Sequence, residues 1–124
     1  MKRLFLIFTI VLVLSACVAS MREYGERVFK YQHQVLVELM NIIIDFEEID
    51  DPIIEKLYAY EDELNEACRP IQKTATTKMM GNEITSEEGY EVVATMDDCY
   101  DKAIEVRQYL KGKGLWTGQF SEDM

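Results

Sequence analysis

Few of the 124 residues have the type and spacing that chemistry requires. The candidates are three cysteines (Cys17, Cys68 and Cys99), one histidine (His33) and several adjacent acid pairs. Paired cysteines serve as structural bonds, redox couples or metal ligands. A redox couple usually has C-x-x-C spacing, which Cys68 and Cys99 lack. A zinc site takes three or four ligands, and no histidine or further thiol is placed to join them. His33 lies between Gln32 and Gln34 in a helical stretch, the setting of a surface residue more than of a base or ligand. The acid pairs include Glu47-Glu48, Asp50-Asp51, Glu87-Glu88 and Asp97-Asp98. Sequence neighbours of this kind make solvated helix faces, whereas a glycosidase sets its two carboxylates across a cleft. The chain has no G-x-S-x-G, H-E-x-x-H, glycine-rich phosphate loop or EF-hand pattern. It therefore offers no catalytic residue, metal site or cofactor site, and reads as a non-enzyme.

Cys17 stands apart because of what precedes it. Lys2 and Arg3 give a short positive start, and Leu4 to Leu14 is apolar throughout except for Thr9. A run of about 11 residues suits a signal peptide, whereas a spanning helix needs about 20. Leu14-Ser15-Ala16-Cys17 then resembles the lipobox of bacterial lipoproteins. In that family small residues admit the peptidase, and the thiol takes up a diacylglyceryl group. The resemblance covers only the first 17 residues. It implies cleavage before Cys17, acylation of the new amino group (with palmitate or a similar chain) and attachment to a membrane through the lipid. Two or more acyl chains hold a protein on a membrane where one does not. Val18 stands where an Asp would favour inner-membrane retention, so for a Gram-negative host the resemblance implies the outer membrane, facing the periplasm. Two other outcomes stay open. Cys17-Val18-Ala19 would also suit ordinary secretory cleavage after Ala19, and the leader would otherwise remain as an uncut anchor.

The net charge is −10, and loss of Lys2 and Arg3 with the leader would make it −12. Such a body argues against nucleic acid, whose affinity comes from neutralised phosphates. It gives no general attraction to anionic lipid. A basic protein partner is compatible with it, as is simple solubility.

Two prolines and six glycines are few for a chain rich in Glu, Lys, Leu and Ile, and favour helix. Val28, Val35, Ile42 and Ile49 recur every seven residues, with Leu39, Phe46 and Ile53 as a second row. This predicts one amphipathic helix from about Met21 to Ile49. Asp50-Asp51-Pro52 ends it, with Asp51 as N-cap and Pro52 as first residue of a second helix. That helix places Ile53, Leu57, Tyr60, Leu64, Cys68, Ile71 and Ala75 on one face. Pro70 removes a hydrogen bond and crowds the carbonyl of Glu66, so the helix is expected to kink or split there. Met80-Gly81-Asn82 reads as its stop. Thr85 and Glu88 have capping-box spacing and open a third helix carrying Val92, Met96, Cys99, Ala103, Val106 and Leu110.

In an antiparallel hairpin of the second and third helices, facing residues have numbers with a constant sum. Cys68 and Cys99 sum to 167, as do Leu57 and Leu110, Leu64 and Ala103, Ile71 and Met96, and Ala75 and Val92. The two thiols fall at one level and are expected to form an interhelical disulfide, in keeping with an oxidising compartment.

The expected architecture is all-α: an up-down-up three-helix bundle with an interhelical disulfide, behind an N-terminal signal peptide. Residues 1–16 are the signal peptide, 17–22 a lipidated tether, 23–112 the bundle and 113–124 a C-terminal tail. A four-helix dimeric arrangement is the alternative if the second helix breaks at Pro70, and the oligomeric state stays open. The end of the bundle away from Cys17 collects Asp45, Glu47, Glu48, Asp50, Asp51 and Glu55 with Trp116 and Phe120 of the tail. Charges around aromatic anchors make a recognition patch, so Asp50, Asp51, Trp116 and Phe120 are the candidate partner-binding residues. The competing reading is that the acids are solvated, Asp51 caps a helix and Trp116 folds back onto the core. The functional expectation is a non-catalytic binding or structural lipoprotein of the envelope. The alternatives are an immunity-type inhibitor of a basic enzyme or toxin and, more weakly, divalent-ion binding by the distal acids.

Overall fold

The computed structural model describes residues 2–118 and contains three helices, α1 (Lys2–Ile49), α2 (Ile54–Met79) and α3 (Ser86–Gly112). Short connections make neighbours antiparallel, and each helix packs on the other two in an up-down-up bundle. No strand occurs among the described residues.

The first helix is longer than the apolar spacing suggested. It runs unbroken for 48 residues from Lys2, so residues 18–22 are helical. No proline or glycine lies between Lys2 and Tyr24 to interrupt it. Among the described side chains, Tyr24 leans on the core and Val28 is fully buried. Val28, Tyr31, Val35, Leu39 and Ile42 form the buried stripe. Ile49, expected on that stripe, is 66% exposed because the helix overshoots the bundle there. Phe46 and Ile53 are half-buried against the core.

Asp50 ends α1 with a φ of 51°, the left-handed conformation that closes many helices. The Asp51 carboxylate accepts the Ile53 N–H at 3.0 Å, and the Asp51 carbonyl accepts that of Ile54 at 3.1 Å. Asp51 thus caps a turn through Pro52 and Ile53, and α2 proper starts two residues later than expected. Pro70 does not split α2, which continues from Ile54 to Met79. Gly81 closes it at φ 79°. The Asn82 N–H reaches the Thr77 carbonyl at 3.1 Å and the Gly81 N–H reaches that of Lys78 at 3.0 Å. This pair of bonds is the Schellman closure. Thr85 caps α3 by accepting the Glu88 N–H at 3.1 Å. Its hydroxyl donates to the Glu88 carboxylate at 3.0 Å, so Glu88 reaches the side chain of the cap rather than its backbone.

Cys68 and Cys99 are joined by a disulfide between α2 and α3, their Cα atoms 4.7 Å apart. Leu57 with Leu110, Leu64 with Ala103, and Ile71 with Met96 are all buried, as one antiparallel register requires. Burying each large aliphatic side chain contributes about 1.5–3 kcal/mol. One polar link crosses the α1–α2 seam. Buried Gln32 accepts from Gln72 at 2.9 Å and donates to the Phe29 carbonyl at 3.1 Å, leaving neither end of its amide unmet.

Candidate functional site

The two ends of the bundle differ in chemistry. At the end holding the α1–α2 turn, Asp45, Glu47, Glu48, Asp50 and Glu55 are exposed and Asp51 is half-buried. Among the described residues none of these acids is in an ion pair. Trp116 does not stand out from them as an anchor. It is half-buried against the core, with the Arg107 guanidinium 5.3 Å from its ring centre. Phe120 lies outside the described residues.

The path of the tail follows from a second Schellman closure. Gly114 has φ 70°, its N–H donates to Lys111 at 3.0 Å, and the Leu115 N–H donates to Leu110 at 2.9 Å. This turns the chain back along α1 toward Glu38, a residue only 1% exposed. One carboxylate oxygen, Glu38 Oε1, accepts the Thr117 N–H, the Thr117 hydroxyl at 2.6 Å and the Gly118 N–H at 2.9 Å. Arg107 completes the clasp. It donates to the Tyr31 hydroxyl at 3.3 Å and lies over the Tyr31 ring as well as that of Trp116. Among the described residues, Glu38 Oε2 and Arg107 Nε are buried with no hydrogen-bond partner. Neither Glu38 nor Arg107 was a candidate from spacing or motif. The available signal was that Glu38 lies on the Val28–Val35–Ile42 face, where a carboxylate needs a partner.

The opposite end opens into an apolar groove of about 440 Å³. Its walls are Phe29 of α1, Ile71 and Ala75 of α2, and Val92, Val93 and Met96 of α3. Met21 also lines it, with exposed Arg22, Lys30 and Lys78. Two glycines line it. A Cβ on Gly25 would sit 3.2 Å from the Met96 methyl carbon, whereas one on Gly89 would meet nothing within 4 Å. Nearby, Met79, Met80 and Tyr90 are 84%, 72% and 78% exposed, a concentration of bare apolar surface at one end. Sequence spacing did not reveal this groove. Cys17 lies on α1 one helical turn before Met21, and its side chain is outside the described set.

Tyr24, next to this end, donates its hydroxyl to Asp97 at 2.8 Å. Burial, and then the Asp97 carboxylate, push the Tyr24 hydroxyl up to about 12. On the α2–α3 face, Lys102 bridges Glu63 at 3.4 Å and Glu105 at 2.6 Å, and its bond to Glu105 raises its affinity for a proton. His33 is exposed and stacks beside Phe29, ring centres 6.1 Å apart. Among the described residues, no three His, Cys, Asp or Glu side chains converge to hold a metal ion. No described helix is long and apolar enough to cross a membrane. No protein-family model, curated protein sequence or solved structure matches the chain.

Proposed function

We propose that the chain is a bacterial envelope lipoprotein, cut before Cys17, held on a membrane by lipid at that residue, and acting by binding rather than catalysis. The observation that carries this reading is the division of labour among three cysteines. Cys68 and Cys99 are bonded to each other inside the bundle. Cys17 is left outside that bond, at the end of a Leu-Ser-Ala-Cys sequence behind a charged and then apolar leader. A buried structural disulfide suits an exported protein, and lipobox acylation needs a free thiol. The binding role draws support from the acids, which spread over an exposed helix end instead of facing one another across a cleft.

The test is metabolic labelling of producing cells with an alkyne-bearing fatty acid, with mass spectrometry of the N-terminal peptide. The expected result is a mature chain starting at acylated Cys17 in the outer membrane of a Gram-negative host, and no label on Cys17→Ser. An unlabelled mature chain starting at Ser20 would overturn the reading.

A second reading is favoured by the unpaired distal carboxylates, which face away from the anchor: inhibition of a basic enzyme or toxin. A photo-crosslinker at exposed Glu48 should capture one basic protein. Charge neutralisation at Asp45, Glu47 and Asp50 should abolish the capture, and an unchanged adduct would count against inhibition.

A further inference from the structure

We propose that the apolar groove at the start of the bundle is the seat of an acyl chain from the protein's own lipid anchor. The inference rests on the reading that Cys17 is acylated. It adds a binding site and its ligand, a saturated hydrocarbon chain delivered in cis.

Three observations place that ligand there. The first is position. Met21, which lines the groove, is four residues after Cys17, a distance of about 6 Å along a helix and at most about 14 Å in extended chain. A long acyl chain attached at Cys17 reaches Met21 in either conformation. The second is chemistry. The interior presents Phe29, Ile71, Ala75, Val92, Val93 and Met96, while Arg22 and Lys30 are exposed at the border. Such a lining is apolar on all three helices, as a hydrocarbon chain requires. The third is size. About 440 Å³ falls within the range of roughly 300–1,000 Å³ typical of small-molecule sites. Gly25 and Gly89 supply part of that space by having no side chain, and Gly89 borders a void that an added Cβ would not fill. Occupation would cover apolar walls that the three helices leave open, and it would hold the bundle close against its anchor.

The test uses the full precursor made in cells fed a fatty acid that carries a diazirine and an alkyne. After irradiation, monomer-sized adducts are digested and mapped. The expected result is a crosslink between the Cys17 lipid and peptides containing Ala75, Val93 or Met96. The crosslink should be lost in Gly89→Leu, which fills the open space, and in Val93→Asp, which puts a charge on a half-exposed wall. An intact Cys68–Cys99 bond reports that each variant has folded. Acylated Cys17 with adducts only on phospholipid would overturn the inference and leave the lipoprotein reading standing. Groove labelling that persists in Cys17→Ser would assign the groove to membrane phospholipid chains and overturn the cis assignment. Absence of fatty acid from Cys17 would remove both readings, and this outcome is seen directly in the N-terminal peptide.

Discussion

The Glu38 carboxylate and the Thr117 hydroxyl lie 2.6 Å apart although 79 positions separate them in the chain. The contact ties the C-terminal tail to the later packed turns of α1 and brings Trp116 beneath Arg107. Trp116 is the single tryptophan, so its emission reports the clasp directly. Glu38→Ala removes the acceptor of three hydrogen bonds, and bonds to charged groups contribute about 1.5–3 kcal/mol. Released donors on the tail regain water, so the expected loss is about 1–3 kcal/mol. Trp116 emission should move to the red and become more open to quenching. Glu38→Gln keeps an acceptor oxygen and should retain most of the protection. Unchanged Trp116 emission in Glu38→Ala would refute the clasp.

The disulfide closes a loop across a sequence separation of 31 residues. In the chain-entropy model this restricts the unfolded chain by roughly 3–4 kcal/mol. Cys68→Ala with Cys99→Ala should therefore lower stability by about that amount and Tm by well over 10 °C for a domain of this size. Denaturant unfolding of the oxidised and doubly substituted proteins checks this, and equal midpoints would refute it. Both sulfurs are buried, so mild reductant should act slowly on the folded protein and quickly once denaturant is added.

Pro70 lies inside α2, which stays helical from Ile54 to Met79. It lies two residues after Cys68 and one before buried Ile71, so packing and the covalent bond hold this segment helical against the proline's preference. The expected effect of Pro70→Ala is a gain of about 1–3 kcal/mol, since an interior proline costs a helix about 3 kcal/mol. A lower melting temperature in that variant would show that the local geometry at Pro70 is itself required. The gain should be larger in the disulfide-free background, where packing alone braces the segment.

The bundle was legible because its core is periodic. The seven-residue spacing of Val28, Val35 and Ile42 marks the α1 stripe, and the constant sum of 167 aligns α2 with α3 closely enough to predict the bond between Cys68 and Cys99. Local boundaries were less so. The Asp51-Pro52 pair promised a helix start, but the turn it caps delays α2 to Ile54. The clasp was hidden for a different reason: its partners come from opposite ends of the chain, and a single Glu among apolar neighbours does not say which donors will meet it. The groove was hidden because it is made partly by what is missing. Gly25 and Gly89 look like weak points in two helices until the three are assembled around the space they leave.

Tyr24 gives a pH signature at the groove end. Tyr24 is partly buried and its hydroxyl donates to Asp97 at 2.8 Å, so the fold favours the protonated form and holds the group at about 12 rather than 10. A group whose folded value is raised contributes its stabilisation fully below the unfolded value, and loses it as pH climbs through the folded one. The contribution of Tyr24 should therefore be complete below about pH 10 and fade between about pH 10 and 12. Tyr24→Phe should remove that part of the alkaline decline and leave the neutral-pH core intact, because the ring still packs against Tyr100 at 6.2 Å. Asp97→Asn should lower the Tyr24 value without removing the whole shift, since burial is its larger cause. Ultraviolet titration of tyrosinate in the three proteins, with denaturant midpoints at each pH, reads both effects. A Tyr24 that ionises together with the freely exposed tyrosines would refute the contact.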